Sequence, residues 1–540
     1  MTPLLTVENL SIAAGQHTLV HDVSFTLEAG QCIALVGESG AGKSLTGKAL
    51  LGLLPHGVQT TAGTVHVNDH VLYQDAVPCP ERQWRNIRGR TLGFVSQDAL
   101  VSLDPLRTIG AEIGEPLTQH QLVNSPAERN REVTHLMQRV HIPNPERRIT
   151  MYPHQLSGGL RQRALIASGI AAQPHVLIAD EPTTALDAHV QARILTLLEE
   201  IKNSGTGIIM ISHDLAAVAQ LADYVLVMKD GGVVEHGPTQ TLFNAPQHHY
   251  TQELIAAHPD AQPIRIAERP IDESHTVLSA DNLTVTYRQP HGKTFTALHD
   301  VSLTVRAGET LGLVGESGSG KSTLSRLLLA IEHPEHGHVR LGEDMWNSAH
   351  MNVSERHRRK RRGTIQLVAQ DAYSTMNKRW TVAHIIAEGI QHESLRGLSR
   401  ANKKQAIRDR VHALMQSVGL PEEYAQRTPR QLSGGQRQRV IIARALAAQP
   451  HILVCDEPVS ALDVTIQSHI MHLLAHIQAE TGVAIVFISH DLAVVRQLAH
   501  TIAVLKDGKL VEYGPSDHIY DNPQHPYTTE LIAAARHSLH

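Results

Sequence analysis

At 540 residues, with 41% hydrophobic and 19% charged side chains, the chain is long enough for several compact units and too poor in charge to be disordered. Lys and Arg number 48 against 53 Asp and Glu, a formal charge of −5, so composition gives wholesale nucleic-acid binding no support. No apolar run approaches the ~18 residues that cross a bilayer, MTPLLTVENL carries no secretory signal, and Cys32, Cys79 and Cys455 are too few for a disulfide framework, which points to a cytoplasmic protein without a membrane span.

In chain order, the apolar run Cys32-Ile33-Ala34-Leu35-Val36 is expected to be a strand. It ends at the glycine loop Gly37-Glu38-Ser39-Gly40-Ala41-Gly42-Lys43-Ser44, which opens a helical pattern. A polar stretch with helical spacing, between FVSQD at 94–98 and LSGG at 156–159, reads as a smaller helical subdomain. Val176-Leu177-Ile178-Ala179 is continuously apolar, as a strand buried on both faces must be, and runs into Asp180-Glu181. ISHD at 211–214 and the tail NAPQHHYTQELIAA at 244–257 close the first half. Residues 258–275, with Pro259, Pro263 and Pro270 among mixed charges, read as an exposed linker.

The second half then writes the same elements again. The loop returns as Gly315-Glu316-Ser317-Gly318-Ser319-Gly320-Lys321-Ser322, LSGG at 432–435, the apolar strand and its acids as Ile452 to Asp456-Glu457, ISHD at 488–491, and the tail as NPQHPYTTELIAA at 522–534. Offsets stay between 273 and 278 residues, so the chain is a tandem duplication of one domain, expected as 1–257 and 276–540, and not a solenoid. The 37 histidines are scattered and read as solvated surface.

Each loop fits G-x-x-x-x-G-K-[ST] after a strand and before a helix, where successive backbone N–H groups face a phosphate. Lys43 and Lys321 would reach the β/γ-phosphates, and the Ser44 and Ser322 hydroxyls would ligate Mg²⁺. A carboxylate at the end of a buried strand is costly unless paired or beside a metal. Asp180 and Asp456 therefore suit Mg²⁺, and Glu181 and Glu457 are placed to polarise an attacking water. The chemistry indicated is nucleotide hydrolysis.

With LSGG added, the motifs resemble those of the ATP-binding cassette (ABC) ATPases over nearly the whole chain, once per half. The resemblance implies an α/β fold of two tandem P-loop NTPase domains. Each would be a RecA-like α/β core with an antiparallel β subdomain and a helical subdomain. It also implies that each ATP lies between one cassette's phosphate loop and the other's LSGG. On that basis the loop 37–44 with Asp180 and Glu181 would share ATP with Ser433, Gly434, Gly435 and Gln436. The loop 315–322 with Thr323, Asp456 and Glu457 would share the other with Ser157, Gly158 and Gly159. Gln97 and Gln370 fit the family's glutamine that senses Mg²⁺ and water, His213 and His490 its γ-phosphate switch histidine, and Asp187 and Asp463 its interface loop. Tyr287 fits the adenine-stacking aromatic, but Ala14 stands at that place in the first half, which implies a weaker first site. Leu160 likewise replaces the glutamine present as Gln436.

SLDP at 102–105, TTALD and VSALD, and the two PQHxYTxELI tails resemble the peptide and nickel branch of ABC importers; STMNK at 374–378 departs from it. Fused two-cassette members of that branch occur in microcin C/oligopeptide-type and glutathione-type systems, the former most similar in architecture. The resemblance implies two inner-membrane permease subunits and a periplasmic substrate-binding protein as partners, and a place on the cytoplasmic face of the bacterial inner membrane. A soluble ABC ribosome-binding factor, or an exporter ATPase, is the alternative. The basic run Arg356-His357-Arg358-Arg359-Lys360-Arg361-Arg362 is the alternative's one foothold, and a structural or permease-side role is expected for it instead.

Overall fold

The computed structural model describes residues 3–97, 102–183, 188–257, 264, 271–288, 294–316, 318–390, 397, 399–460 and 462–536. Expected site residues Ser317 and Asp187, and most of the linker, lie outside the described residues. The chain divides into two compact units that meet in sequence at 258/259.

In the first unit a six-stranded sheet runs in the order Gly232–Pro238, Tyr224–Lys229, Cys32–Val36, Gly207–Ile211, Val176–Asp180, Leu92–Val95. All neighbours pair in parallel except the first two, which form a hairpin. Three of the four inner strands, Cys32–Val36, Gly207–Ile211 and Val176–Asp180, are buried along their whole length, which is why the sequence shows them as apolar runs. Their side chains alternate between two cores. Cys32, Ala34 and Val36 face one shared with the helical subdomain, and Ile33 and Leu35 face one shared with an antiparallel sheet. That second sheet orders His17–Leu27, Leu5–Ala14, Val58–Val67, His70–Gln74 and Val77–Pro78. The helical subdomain holds Ile109–Gln119, capped by Thr108, Pro126–Arg139, capped by Ser125, and Gly158–Ile170.

The second unit repeats the plan. Its central sheet orders Ile365–Val368, Ile452–Asp456, Ala484–Ser489, Thr310–Val314, Thr501–Lys506 and Lys509–Pro515. Its antiparallel sheet has four strands, Thr294–Ala307, Asp272–Arg288, His336–Leu341 and Asp344–Ser348. The strand Asp272–Arg288 starts inside the expected linker, because Asp272 already pairs with Ala307. Cys455 lies fully buried in a central strand, where burial pushes its thiol up to about 12. It serves as a small apolar side chain.

The basic run is partly consumed by the fold. Arg362 donates to the carbonyls of Leu329 and Ala330, Arg358 to that of Trp346, and Arg361 pairs with Asp344. In the first unit Arg88 closes the same helix end, on the carbonyls of Leu51 and Gly52. Arg362 and Arg88 thereby satisfy carbonyls at a helix C-terminus that the helix itself cannot.

Two candidate nucleotide sites

In the first unit the loop 37–42 leaves the end of strand Cys32–Val36 and feeds helix Lys43–Leu50. The backbone must turn sharply, with Gly37, Gly40 and Gly42 at φ 144°, 92° and 96°. A Cβ on Gly37 would collide with the Met228 carbonyl of the neighbouring strand, and one on Gly315 with that of Leu505. Inside the loop the buried Lys43 ammonium donates to Gly37 O at 2.7 Å and Glu38 O at 2.8 Å. Lys321 repeats this at 2.6 and 2.8 Å on Gly315 and Glu316. Both cations are thus held inside the loop, against its own carbonyls, where the fold of the loop is suited to a phosphate.

The acids stand at the neighbouring strand ends. Asp180 is 4% exposed and accepts from the Ser44 hydroxyl at 3.0 Å. Burial pushes its carboxyl up, and the adjacent Glu181 adds to this while the Ser44 hydrogen bond opposes it. Asp456 is raised by burial and by Glu457, and no Ser322 bond joins it among those present. A buried carboxylate beside a second one, with a hydroxyl at its side, is a hard-oxygen set short of positive charge, and the residues fit Mg²⁺. Among the described residues no three His, Cys, Asp or Glu could hold a metal together.

Glu181 and Glu457 both adopt left-handed backbone, at φ 48° and 45°. That twist turns each carboxylate toward two partners. Gln97 Nε2 donates to Glu181 Oε2 at 2.7 Å, and His213 Nδ1 lies 3.2 Å from Oε1. Gln370 and His490 hold Glu457 the same way, at 2.7 and 3.5 Å. Burial works against charge on both histidines, but the hydrogen bond and charge of the glutamate prevail and raise them above the ordinary 6.5. Burial likewise pushes Glu457 up, and the His490 bond and charge outweigh it, so its carboxyl is held low. Each glutamate is therefore oriented by a glutamine on one oxygen and a histidine on the other.

Within each unit the structure brings together the loop lysine, Asp, Glu, Gln and His expected from sequence; among the described residues the loop serine joins them only in the first unit, through Asp180. Tyr287 sits near the end of its strand with its hydroxyl 3.5 Å from Thr323 Oγ1, on the helix that follows the loop. Ala14 and Tyr287 occupy matching positions: they pair with His17 and Phe295, after the positive-φ Asn9 and Asn282. The LSGG serines cap the helices Gly158–Ile170 and Gly434–Ala447. A Cβ on Gly159 or Gly435 would strike Val190 or Ile466. Asp463 is buried and caps helix Val464–Thr481 through Ile466 N at 3.0 Å. Sequence reasoning missed Tyr250 and Tyr527. Their hydroxyls accept from Glu38 N and Glu316 N, each at 2.9 Å. The twice-written tail was the available signal.

Comparison with known proteins fits this geometry. The ABC transporter family matches residues 20–184 and 298–460, and the oligopeptide/dipeptide transporter C-terminal region matches 234–282 and 511–537. The chain is 41% identical to the peptidoglycan transport ATP-binding protein YejF of Agrobacterium fabrum, over 99% of this chain and 96% of that one. It is 39% identical to the glutathione import ATP-binding protein GsiA of Escherichia coli K12, over 98% and 89%. The archaeal ribosome recycling factor aABCE1, in complex with stalk protein aP1, superposes with a TM-score of 0.62 at 17% identity, covering 96% of this chain and 90% of that one. At that identity the likeness is one of fold alone.

Proposed function

Because the chain belongs to the ABC transporter ATPases, with two cassettes in tandem, we propose that it is the ATP-hydrolysing subunit of a binding-protein-dependent importer for peptides or a related small solute. The observation that carries this is the oligopeptide/dipeptide C-terminal region, present after each cassette. Relatives named for glutathione import and peptidoglycan transport support a peptide-like cargo. The partners are two membrane permease subunits and a periplasmic binding protein, and the chain acts at the cytoplasmic face of the inner membrane. No helix among the described residues is long and apolar enough to cross a membrane, so the path for the solute lies in those partners.

The cassettes are 1–257 and 276–540, with the strand Asp272–Arg288 carrying the second cassette's sheet into the 258–275 joint. Lys43 and Lys321 bind the β/γ-phosphates, and Ser44, Asp180 and Gln97, or Ser322, Asp456 and Gln370, hold Mg²⁺. When bound, Mg²⁺ neutralises charge on the phosphates. Glu181 and Glu457 orient the attacking water and take its proton, and His213 and His490, held beside those glutamates, face the γ-phosphate. Tyr287 stacks on adenine. Ser157, Gly158 and Gly159, and Ser433, Gly434, Gly435 and Gln436, are the LSGG segments that contact nucleotide, each at the start of its helix.

The test is the Glu181→Gln, Glu457→Gln chain held with ATP and purified gently from its native cell. Recovery of two permeases with a periplasmic binding protein is expected. Recovery of ribosomal subunits instead would overturn the transport reading and leave the ATPase chemistry standing.

A further inference from the structure

The peptide that joins the first two residues of each phosphate loop is held from a surprising distance in sequence. Glu38 N donates to the Tyr250 hydroxyl, more than 200 residues later, and Glu316 N to that of Tyr527. The same residue's carbonyl is held from inside the loop. Glu38 O accepts from Lys43 Nζ at 2.8 Å and from Ala41 N at 3.2 Å. Glu316 O accepts from Lys321 Nζ at 2.8 Å and Ser319 N at 3.1 Å. One residue in each loop is thus pinned on its N–H side by the tail and on its C=O side by the cation that must turn to phosphate.

The tails are themselves tied down. Glu235, on the hairpin strand Gly232–Pro238, accepts Gln247 N at 2.8 Å and His248 N at 3.0 Å, and Glu512 accepts Gln524 N and His525 N at 2.8 and 3.1 Å. His248 and His525 Nδ1 accept from the tyrosine N–H, each at 3.2 Å. The tyrosine rings are 3% and 2% exposed, under the ammonium groups of Lys229 and Lys506 at 4.6 and 4.4 Å from the ring centroids. Those lysines end the strand beside the loop strand. The two copies agree to within a few tenths of an ångström in every one of these contacts, as their closely similar tails, HYTQELIAA and PYTTELIAA, lead one to expect.

We infer that Tyr250 and Tyr527 are positioning residues of the ATPase sites, and that the C-terminal region after each cassette works as a strap that preorganises its phosphate loop. When the lysine swings to a phosphate, the Glu38 or Glu316 carbonyl loses a partner while its N–H stays fixed. The loop then keeps its curl, and its remaining amides stay pointed at the ligand. A loop already ordered spends less of its binding energy on ordering. The strap should therefore act on nucleotide affinity and leave the reacting groups alone. The inference rests on the reading of these loops as ATP sites.

The test uses the full chain with Tyr250→Phe and Tyr527→Phe, singly and together, and ATP as the probe. The double variant is expected to bind ATP about fivefold more weakly, the worth of one net hydrogen bond, with the hydrolysis rate at saturating ATP unchanged. Amide exchange should accelerate at Glu38 and Glu316 ahead of the rest of the chain. Glu235→Ala and Glu512→Ala keep the hydroxyl but release the anchor, and should give the same pattern. Unchanged affinity with unchanged exchange at those two amides would overturn the inference. So would a general rise in exchange with a lowered melting point, since that is what a mere packing residue gives. Retained ATP binding in Lys43→Ala with Lys321→Ala would instead sink the underlying assignment of the loops.

Discussion

The two cassettes of this chain have kept one part of their sites and let another drift. Lysine, the Gln–Glu–His set and the tail tyrosine superimpose in their contacts, bond by bond. The periphery differs. Ser44 is bonded to Asp180 while Ser322 is exposed, and Ala14 stands where the second cassette has Tyr287. Ser433 shares a reciprocal capping box with Gln436, at 3.0 and 3.3 Å, which Leu160 cannot form with Ser157. On the proposed function, the groups assigned to the reacting phosphate are alike, and those assigned to adenine and helix order are not. That reading expects two sites of equal chemistry and unequal grip.

The largest effect should break both sites together. Glu181→Gln with Glu457→Gln is expected to bind ATP and to lose about 10²–10⁴ in hydrolysis rate, read by phosphate release; near-normal turnover would remove the general-base role from both. Next, Lys43→Ala or Lys321→Ala should weaken binding at its own site by about 1.5–3 kcal/mol, measured by titration with a fluorescent ATP analogue. Equal binding before and after would mean that the lysine does not meet phosphate.

A finer test addresses the difference between the cassettes. With the second site disabled by Lys321→Ala, Ala14→Tyr should tighten the first by about 1–3 kcal/mol. No gain would show that the base does not lie over this strand end. Gln436→Leu should cost about 0.5–1 kcal/mol of stability by removing the second capping box, seen as a lowered melting point, and Leu160→Gln should recover a similar amount in the first cassette.

The smallest effect is one of pH. His490 is raised above 6.5, so its contribution is complete below that pH and is lost as pH rises through the higher folded value. Glu457 is lowered, so its contribution holds above 4.5 and is lost as pH falls through the lower folded value. The ion pair is whole between these limits. ATP affinity should fall on the alkaline side, and His213→Asn with His490→Asn should flatten that limb; an unaltered profile would take the imidazolium out of the site.

Much of this was legible in the sequence because its causes are local. A strand buried on both faces must be continuously apolar, and a loop that wraps phosphate needs glycine, so 32–44 and 310–322 declare themselves. The duplication also told where the halves diverge, at Ala14 and Leu160, before any register was seen. What could not be read is long-range and made of backbone. Nothing in PQHHY says that its tyrosine meets an amide more than 200 residues earlier, because Glu38 offers its N–H there and not its side chain. Nor does the basic run announce that three of its arginines are spent on carbonyls and one aspartate.

The left-handed backbone at Glu181 and Glu457 has a consequence for how these sites can be lost. A side chain with a Cβ is held there against its preference, at a cost of roughly 1 kcal/mol or more per residue. Glycine would adopt the same turn without strain. Drift or selection for thermal robustness alone would therefore favour silencing the enzyme, giving a sturdier chain with glycine where each carboxylate was. Glutamate at both positions keeps the carboxylate despite that backbone strain, in both cassettes alike.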